Sequence, residues 1–241
     1  MRRCVFLYSI LMVLPLFSES TLERIIPPEI KNDCFYQVIC KLAETEPLST
    51  ILEIGSSSGE GSTEAFVQGI GKNPHHPTLF CMEVSKTRFA ALKQRYGHLP
   101  YVKCYNVSSI PLESFPQESD VISFYNSTKT NLHLYGCDQV ISWLRADIEY
   151  VKSAGVPKTG IETIKAENNI KTFDMVLVDG SEFTGMAEFK LIYGARFILL
   201  DDITTFKNYA NYKKLLSDTN YEIIAIDTLL RNGYAVFRRK D

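Results

Sequence analysis

The chain has 241 residues, 45% of them hydrophobic and 22% charged, with a formal net charge of -2. That length supplies one substantial core with little room for two, so a single domain over residues 21-241 is expected. A near-neutral sum excludes a chain-wide basic face of the kind that grips phosphate backbones, and no nucleic-acid partner is expected.

Met1-Arg2-Arg3, the apolar run Cys4 to Phe17 and the small residues of Ser18-Glu19-Ser20 have the layout of a secretory signal peptide. The run is shorter than the roughly 20 residues of a membrane-spanning helix, so no stable membrane span is expected. Residues 1-20 read as a signal-like or apolar leader. Beyond it, Cys34, Cys40, Cys81, Cys104 and Cys137 show no CxxC pair and no metal-type spacing, which reads as reduced thiols rather than a disulfide framework. A cytoplasmic location is favoured, with export left open by the leader.

After Ile26-Pro27-Pro28, apolar positions at Phe35, Val38, Ile39 and Leu42 give a helix over Asp33 to Glu44. The chain then alternates: strand Thr50 to Ile54, helix from Ser62 to Ile70, strand Thr78 to Met82, helix from Lys86 to Tyr96, strand Tyr101 to Tyr105. A stretch of about 111-170 breaks this rhythm and reads as an insertion. Its first part, Pro111 to Thr130, is rich in Pro, Ser and Asn, and Gln139 to Ser153 is an amphipathic helix. The alternation resumes with strand Phe173 to Val178, a short helix Met186 to Leu191, strand Arg196 to Leu200, helix Phe206 to Leu216 and strands Tyr221 to Ile226 and Tyr234 to Arg238. The connection Asp227 to Gly233 is too short for a helical crossover, so the last pair must be an antiparallel hairpin. The expected architecture is α/β: a Rossmann-like, seven-stranded, mainly parallel sheet with a reversed C-terminal hairpin strand and helices on both faces.

In such sheets ligands bind beyond the carboxyl ends of the strands. There the sequence reads ILEIGSSSGEG, with Gly55, Gly59 and Gly61 at a strand-to-helix turn. It has no Lys-Ser/Thr after the last glycine and no GxGxxG spacing, so it is neither a P-loop nor a dinucleotide fingerprint. Glu53 at its base would repel a pyrophosphate and suits a cofactor with a cationic amino group. Glu83 ends the second strand, where a carboxylate can accept from both ribose hydroxyls, and Asn106 ends the third, placed to meet an adenine edge.

With these motifs, FDMVLVDGSEF at the fourth strand and the closing strand GYAVFRR, residues 30 to 241 resemble the class I S-adenosylmethionine-dependent methyltransferases. The pattern is most similar to metal-dependent O-methyltransferases of small molecules and sugars. The resemblance implies that Glu53, Gly55, Ser57 and Gly59 line the methionine part of the cofactor, Glu83 the ribose, and Asn106 with Val107 the adenine. Ser57 stands where many members have a glycine.

Asp179 ends the fourth strand and Asp201-Asp202 the fifth, so their carboxylates are expected to converge on one sheet edge and to suit Mg²⁺ or a similar divalent cation. The plainer reading is that they terminate strands or cap the next helix. Glu182 is a candidate general base, although catechol-type enzymes carry a lysine there. His133, in the insertion with Tyr135 and Trp143, is a second catalytic candidate for which packing is the commoner role. The partner expected is a small-molecule or glycan acceptor whose ring could stack on Phe124, Tyr125, Tyr135 or Trp143, with a homodimer left open. A cofactor-binding module without turnover and an exported protein reusing the fold are the alternative readings.

Overall fold

The structure is a computed structural model, and it describes residues 21-240. The leader therefore lies outside the described residues. Among those residues no helix is long and apolar enough to cross a membrane, and Cys34, Cys40, Cys81, Cys104 and Cys137 are all free thiols.

The described residues form seven strands: β1 (Thr50–Ile54), β2 (Thr78–Glu83), β3 (Val102–Asn106), β4 (Met175–Val178), β5 (Phe197–Asp201), β6 (Tyr221–Asp227) and β7 (Tyr234–Arg239). They form one sheet in the order β3-β2-β1-β4-β5-β7-β6. The first five run parallel, whereas β7 is antiparallel to both β5 and β6. The six residues that the last two strands leave between them close as a hairpin, as their shortness requires.

Among the described residues eight α-helices flank the sheet: α1 (Cys34–Thr45), α2 (Ser62–Ile70), α3 (Lys86–Tyr96), α4 (Glu118–Ser127), α5 (Cys137–Ser153), α6 (Gly160–Glu167), α7 (Gly185–Ile192) and α8 (Tyr209–Ser217). Strand residues alternate between two cores because successive side chains point to opposite faces. Ile51, Leu79, Leu177 and Leu199 pack under α1, α2 and α3 with Phe35, Phe66 and Leu92. Leu52, Phe80, Val176 and Ile198 pack under α6, α7 and α8 with Ile164, Phe189 and Leu215. The central strands are apolar throughout because both of their faces are covered.

A third core belongs to the stretch between β3 and β4. Val121 of α4 and Val140, Ile141 and Leu144 of α5 gather around Leu132 and reach back to Phe183 and Phe206 beyond β4 and β5. Thus α4 and α5 form a cap anchored over the sheet's carboxyl edge. Helix α6 instead joins the sheet, through Ile161 and Ile164.

Candidate active site at the carboxyl edge of the sheet

The loop after β1 folds by backbone necessity. Gly55 sits at φ +89°, and a Cβ there would come within 2.1 Å of the Asp179 carbonyl oxygen, so only glycine fits. Gly55 and Ser56 donate their N–H groups to the Met82 carbonyl at 3.1 and 2.9 Å, which ties the loop to the end of β2. Ser57 turns the chain at φ 47°. Glu53 lies beneath this loop rather than in it. Its side chain is fully buried on the face shared with Ile51, and its Oε2 accepts from Ser56 Oγ and Thr63 Oγ1, each at 2.7 Å. Burial raises its pKa, against hydrogen bonds from Ser62, Thr63 and Ser56 that favour the anion. Glu53 braces the loop from behind and does not line the cavity, so the direct cofactor contact expected of it is corrected to a supporting role.

Glu83 does reach the cavity. One carboxylate oxygen accepts from Ser57 N–H at 2.8 Å and the other from Ser85 N–H at 2.7 Å. A carboxylate offers about four lone-pair sites, so acceptor capacity remains for ligand hydroxyls. Burial pushes its pKa up, opposed by the Ser85 N–H and the Arg88 charge. Asn106 departs from expectation. Its amide nitrogen donates to the Glu83 and Val84 carbonyls at 2.8 and 3.1 Å, so the side chain stitches β3 to the β2–α3 turn and stays out of the cavity. Val107, next along, lines it.

At the cavity wall beyond β4 and β5 the expected acids meet a residue that the sequence did not point to. Lys207 Nζ lies 2.9 Å from Asp179 Oδ1 and 2.6 Å from Asp202 Oδ2, with its side chain 8% exposed. Burial disfavours its ammonium, but Asp179, Asp202, Asp201 and Glu182 together outweigh that and hold its pKa well above the ordinary value. Its position is set by Asn208, fully buried, whose Nδ2 donates to the Val178 and Asp201 carbonyls at 3.0 and 2.7 Å. The loop between β5 and α8 is thereby pinned to both strand ends. The only sequence signal was a Lys-Asn pair shortly after two acids, in DDITTFKN.

Glu182 lines the same wall. It accepts from Thr205 Oγ1 and from the Lys207 backbone N–H, both at 3.1 Å. Burial pushes its pKa up to about 7, with the Lys207 charge opposing and Asp202 reinforcing. Asp201 turns away to Arg231, whose Nη2 is 3.0 Å from its Oδ1. Burial and the neighbouring Asp202 raise Asp201 to about 6.

Gly55, Ser57, Glu83, Asp179, Glu182 and Lys207 line one cavity of about 360 Å³, whereas Gly59, expected there, is backed against Tyr96 and Leu92 and stays out of the lining. The cap contributes Phe115 and Asp147, and Asp147 accepts a hydrogen bond from Ser181 Oγ. The segment before α1 contributes Leu22, Ile26 and Pro28. It is held there by Glu23, which accepts from Thr87 N–H at 2.9 Å and from the Tyr150 hydroxyl. His133 is not in the cavity. It is exposed on a short 3-10 turn, Asn131–Leu134, stacked on Tyr125 at 4.4 Å with Nδ1 3.1 Å from the Thr130 carbonyl. The aromatic side chains expected to stack on an acceptor are likewise outside the cavity lining: Tyr135 packs on Trp143 at 4.8 Å and Phe124 on Phe206 at 5.0 Å.

No protein-family model matches the sequence, and no curated protein does. Solved structures do match in fold. A putative O-methyltransferase from Klebsiella pneumoniae superposes with a TM-score of 0.54 at 9% identity, over 89% of this chain and 84% of that one. An O-methyltransferase from Bacillus cereus in complex with SAH gives 0.52 at 13% identity, over 94% of both chains. The chain has the class I methyltransferase fold. A methyltransferase from Geobacter sulfurreducens adds a third match, with a TM-score of 0.51 at 9% identity over 88% and 82% of the two chains.

Within this methyltransferase fold the expected metal site does not fit a metal. The place between Asp179 and Asp202 is taken by the Lys207 ammonium, and Asp201 is paired with Arg231. Asp201 and Asp202 do bring carboxylate oxygens within 4.8 Å of each other and of exposed Glu29, but Asp179 stands outside that group.

Proposed function

We propose that the chain is an S-adenosylmethionine-dependent O-methyltransferase acting on a hydroxyl of a sugar or other small molecule. One observation carries the reading: the Gly55–Ser58 stretch with Glu83 and the Asp179–Glu182–Lys207 group line one cavity. Donor and acceptor chemistry can therefore meet without a domain movement. A cavity of about 360 Å³ lies within the range of small-molecule sites. The SAH held by the Bacillus cereus fold neighbour supports the same cofactor class here.

The cofactor's sulfonium would supply an electrophilic methyl group. The chain's own contribution is placement and proton transfer. Glu83 and the Ser57 backbone orient the nucleoside end, and the cap with Leu22 and Ile26 keeps water from the sulfur. Glu182, poised near 7, takes the acceptor's hydroxyl proton, since a base works best with a pKa close to the working pH. On transfer the acceptor oxygen would take the methyl group, and sulfur would keep the S–C electron pair.

Calorimetry with SAH on the wild-type chain, followed by transfer of a labelled methyl group to a panel of sugars and phenols, tests this. Saturable SAH binding and transfer to a hydroxyl are expected. Absence of binding ends the reading, and binding without transfer to any hydroxyl or thiol leaves a cofactor-holding module instead.

A further inference from the structure

We propose that Lys207 is the built-in cation of this site, taking the place of a divalent metal, and that its remaining N–H holds the acceptor oxygen at a single point. The proposal deepens the O-methyltransferase reading and rests on it for the second half only.

The argument begins with valence. An ammonium has three N–H donors. Two of those on Lys207 point to Asp179 Oδ1 and Asp202 Oδ2, at 2.9 and 2.6 Å, and the side chain borders the cavity. These are two of the three carboxylates that the strand-tip pattern offered to a metal, the third, Asp201, being paired with Arg231. The ammonium stands between Asp179 and Asp202 and offsets part of their charge, and a divalent ion entering there would have to break both ion pairs and displace it. The lysine is not an accident of a loose loop, because Asn208 ties the following residue to the ends of β4 and β5 and Glu182 takes the Lys207 backbone N–H.

The third N–H is the group that can meet substrate. A metal with open positions chelates two neighbouring oxygens, whereas one N–H grips one. The acceptor consequently needs a single hydroxyl and gains nothing from a second one beside it. In the reaction that oxygen, held by Lys207, loses its proton to Glu182 and forms the C–O bond while the S–C pair goes to sulfur. The ammonium stabilises the oxygen's developing negative charge and is neither consumed nor oxidised.

The test is Mn²⁺ titration followed by electron paramagnetic resonance, on wild type, Lys207→Arg and Lys207→Met, with SAH calorimetry on the same preparations. Wild type and Lys207→Arg should leave the free Mn²⁺ signal undiminished. Lys207→Met should gain a Mn²⁺ site that Asp179→Asn in the same chain removes. Wild-type turnover should survive EDTA unchanged, and Lys207→Met should lose about 10²-fold in kcat, the scale of one lost oxyanion donor. Mn²⁺ binding to wild type that Asp202→Asn or Glu29→Gln abolishes would overturn the proposal, as would a Lys207→Met chain that binds SAH yet gains no Mn²⁺ site. Should Lys207→Met fail to fold, the wild-type titration and the EDTA arm still decide. Loss of SAH binding by wild type sinks the cofactor reading separately, without touching the Mn²⁺ result.

Discussion

The backbone N–H of Ser57 donates to Glu83 Oε2 at 2.8 Å. One carboxylate therefore shapes the loop after β1 and also faces the cavity, where the proposed function has it meet a ribose. The two tasks cannot be separated by mutation at that position, and the expected phenotype follows from both.

Glu83→Gln keeps the side chain's size but leaves one acceptor oxygen where two N–H groups, from Ser57 and Ser85, now end. Each hydrogen bond to a charged group is worth about 1.5–3 kcal/mol. SAH affinity should fall by roughly 10- to 100-fold, measured by calorimetry, with the thermal midpoint lowered as well. Unchanged affinity would remove Glu83 from the cofactor site.

Glu182 ties activity to pH. With a pKa of about 7 it is protonated and useless as a base in acid, so kcat should rise through pH 7 and level off above it. The stability effect has the opposite sign. A carboxyl raised from 4.5 to about 7 binds more protons folded than unfolded, so its contribution is complete below pH 4.5 and is lost as pH climbs through 7. Glu182→Gln should flatten the acidic limb of the rate profile and stabilise the chain at pH 8 by about 1–3 kcal/mol. Denaturant unfolding at pH 5 and pH 8 reads the difference.

Gly55→Ala would force a φ of +89° on an alanine and drive its Cβ into the Asp179 carbonyl. A cost of about 1–3 kcal/mol is expected from the strained backbone alone. The clash also shifts the end of β4, so thermal unfolding and SAH affinity should both deteriorate. A variant with wild-type stability would contradict the close approach of the two strand tips.

His133→Ala should do little. The ring is exposed and its partners are Tyr125 and the Thr130 carbonyl, so stability should stay within about 0.5 kcal/mol and turnover should persist. Lost turnover with intact SAH binding would return His133 to the site.

The sheet was legible because its signals are local. Short apolar runs and turn residues mark each strand, and β1 matches its expected span at both ends. Helix α4 escaped because only Val121 along it is buried, which leaves almost no apolar stripe to detect. Strand tips could be named, but the direction of a side chain at a tip could not. Glu53 shares its face with Ile51 and turns inward, and the amide of Asn106 is consumed by two carbonyls. The acids after β4 and β5 were visible, while their true partner was not. Lys207 lies 28 residues from Asp179, and nothing in the spacing says that the loop after β5 folds back between them. Charge compensation across a fold is a tertiary property, and a list of acids reads as a metal site until the buried cation is found.

The reversed strand β7 has a practical side. Because Phe197 pairs with Arg238 and Asp201 with Tyr234, the chain leaves the sheet at the edge away from the cavity. Thr21–Glu23, in contrast, sits at the rim, where Glu23 grips Thr87 and Tyr150 and Leu22 faces inward. An affinity handle fused after β7 leaves the cavity clear, whereas bulk added on Leu22 or Glu23 would crowd its rim.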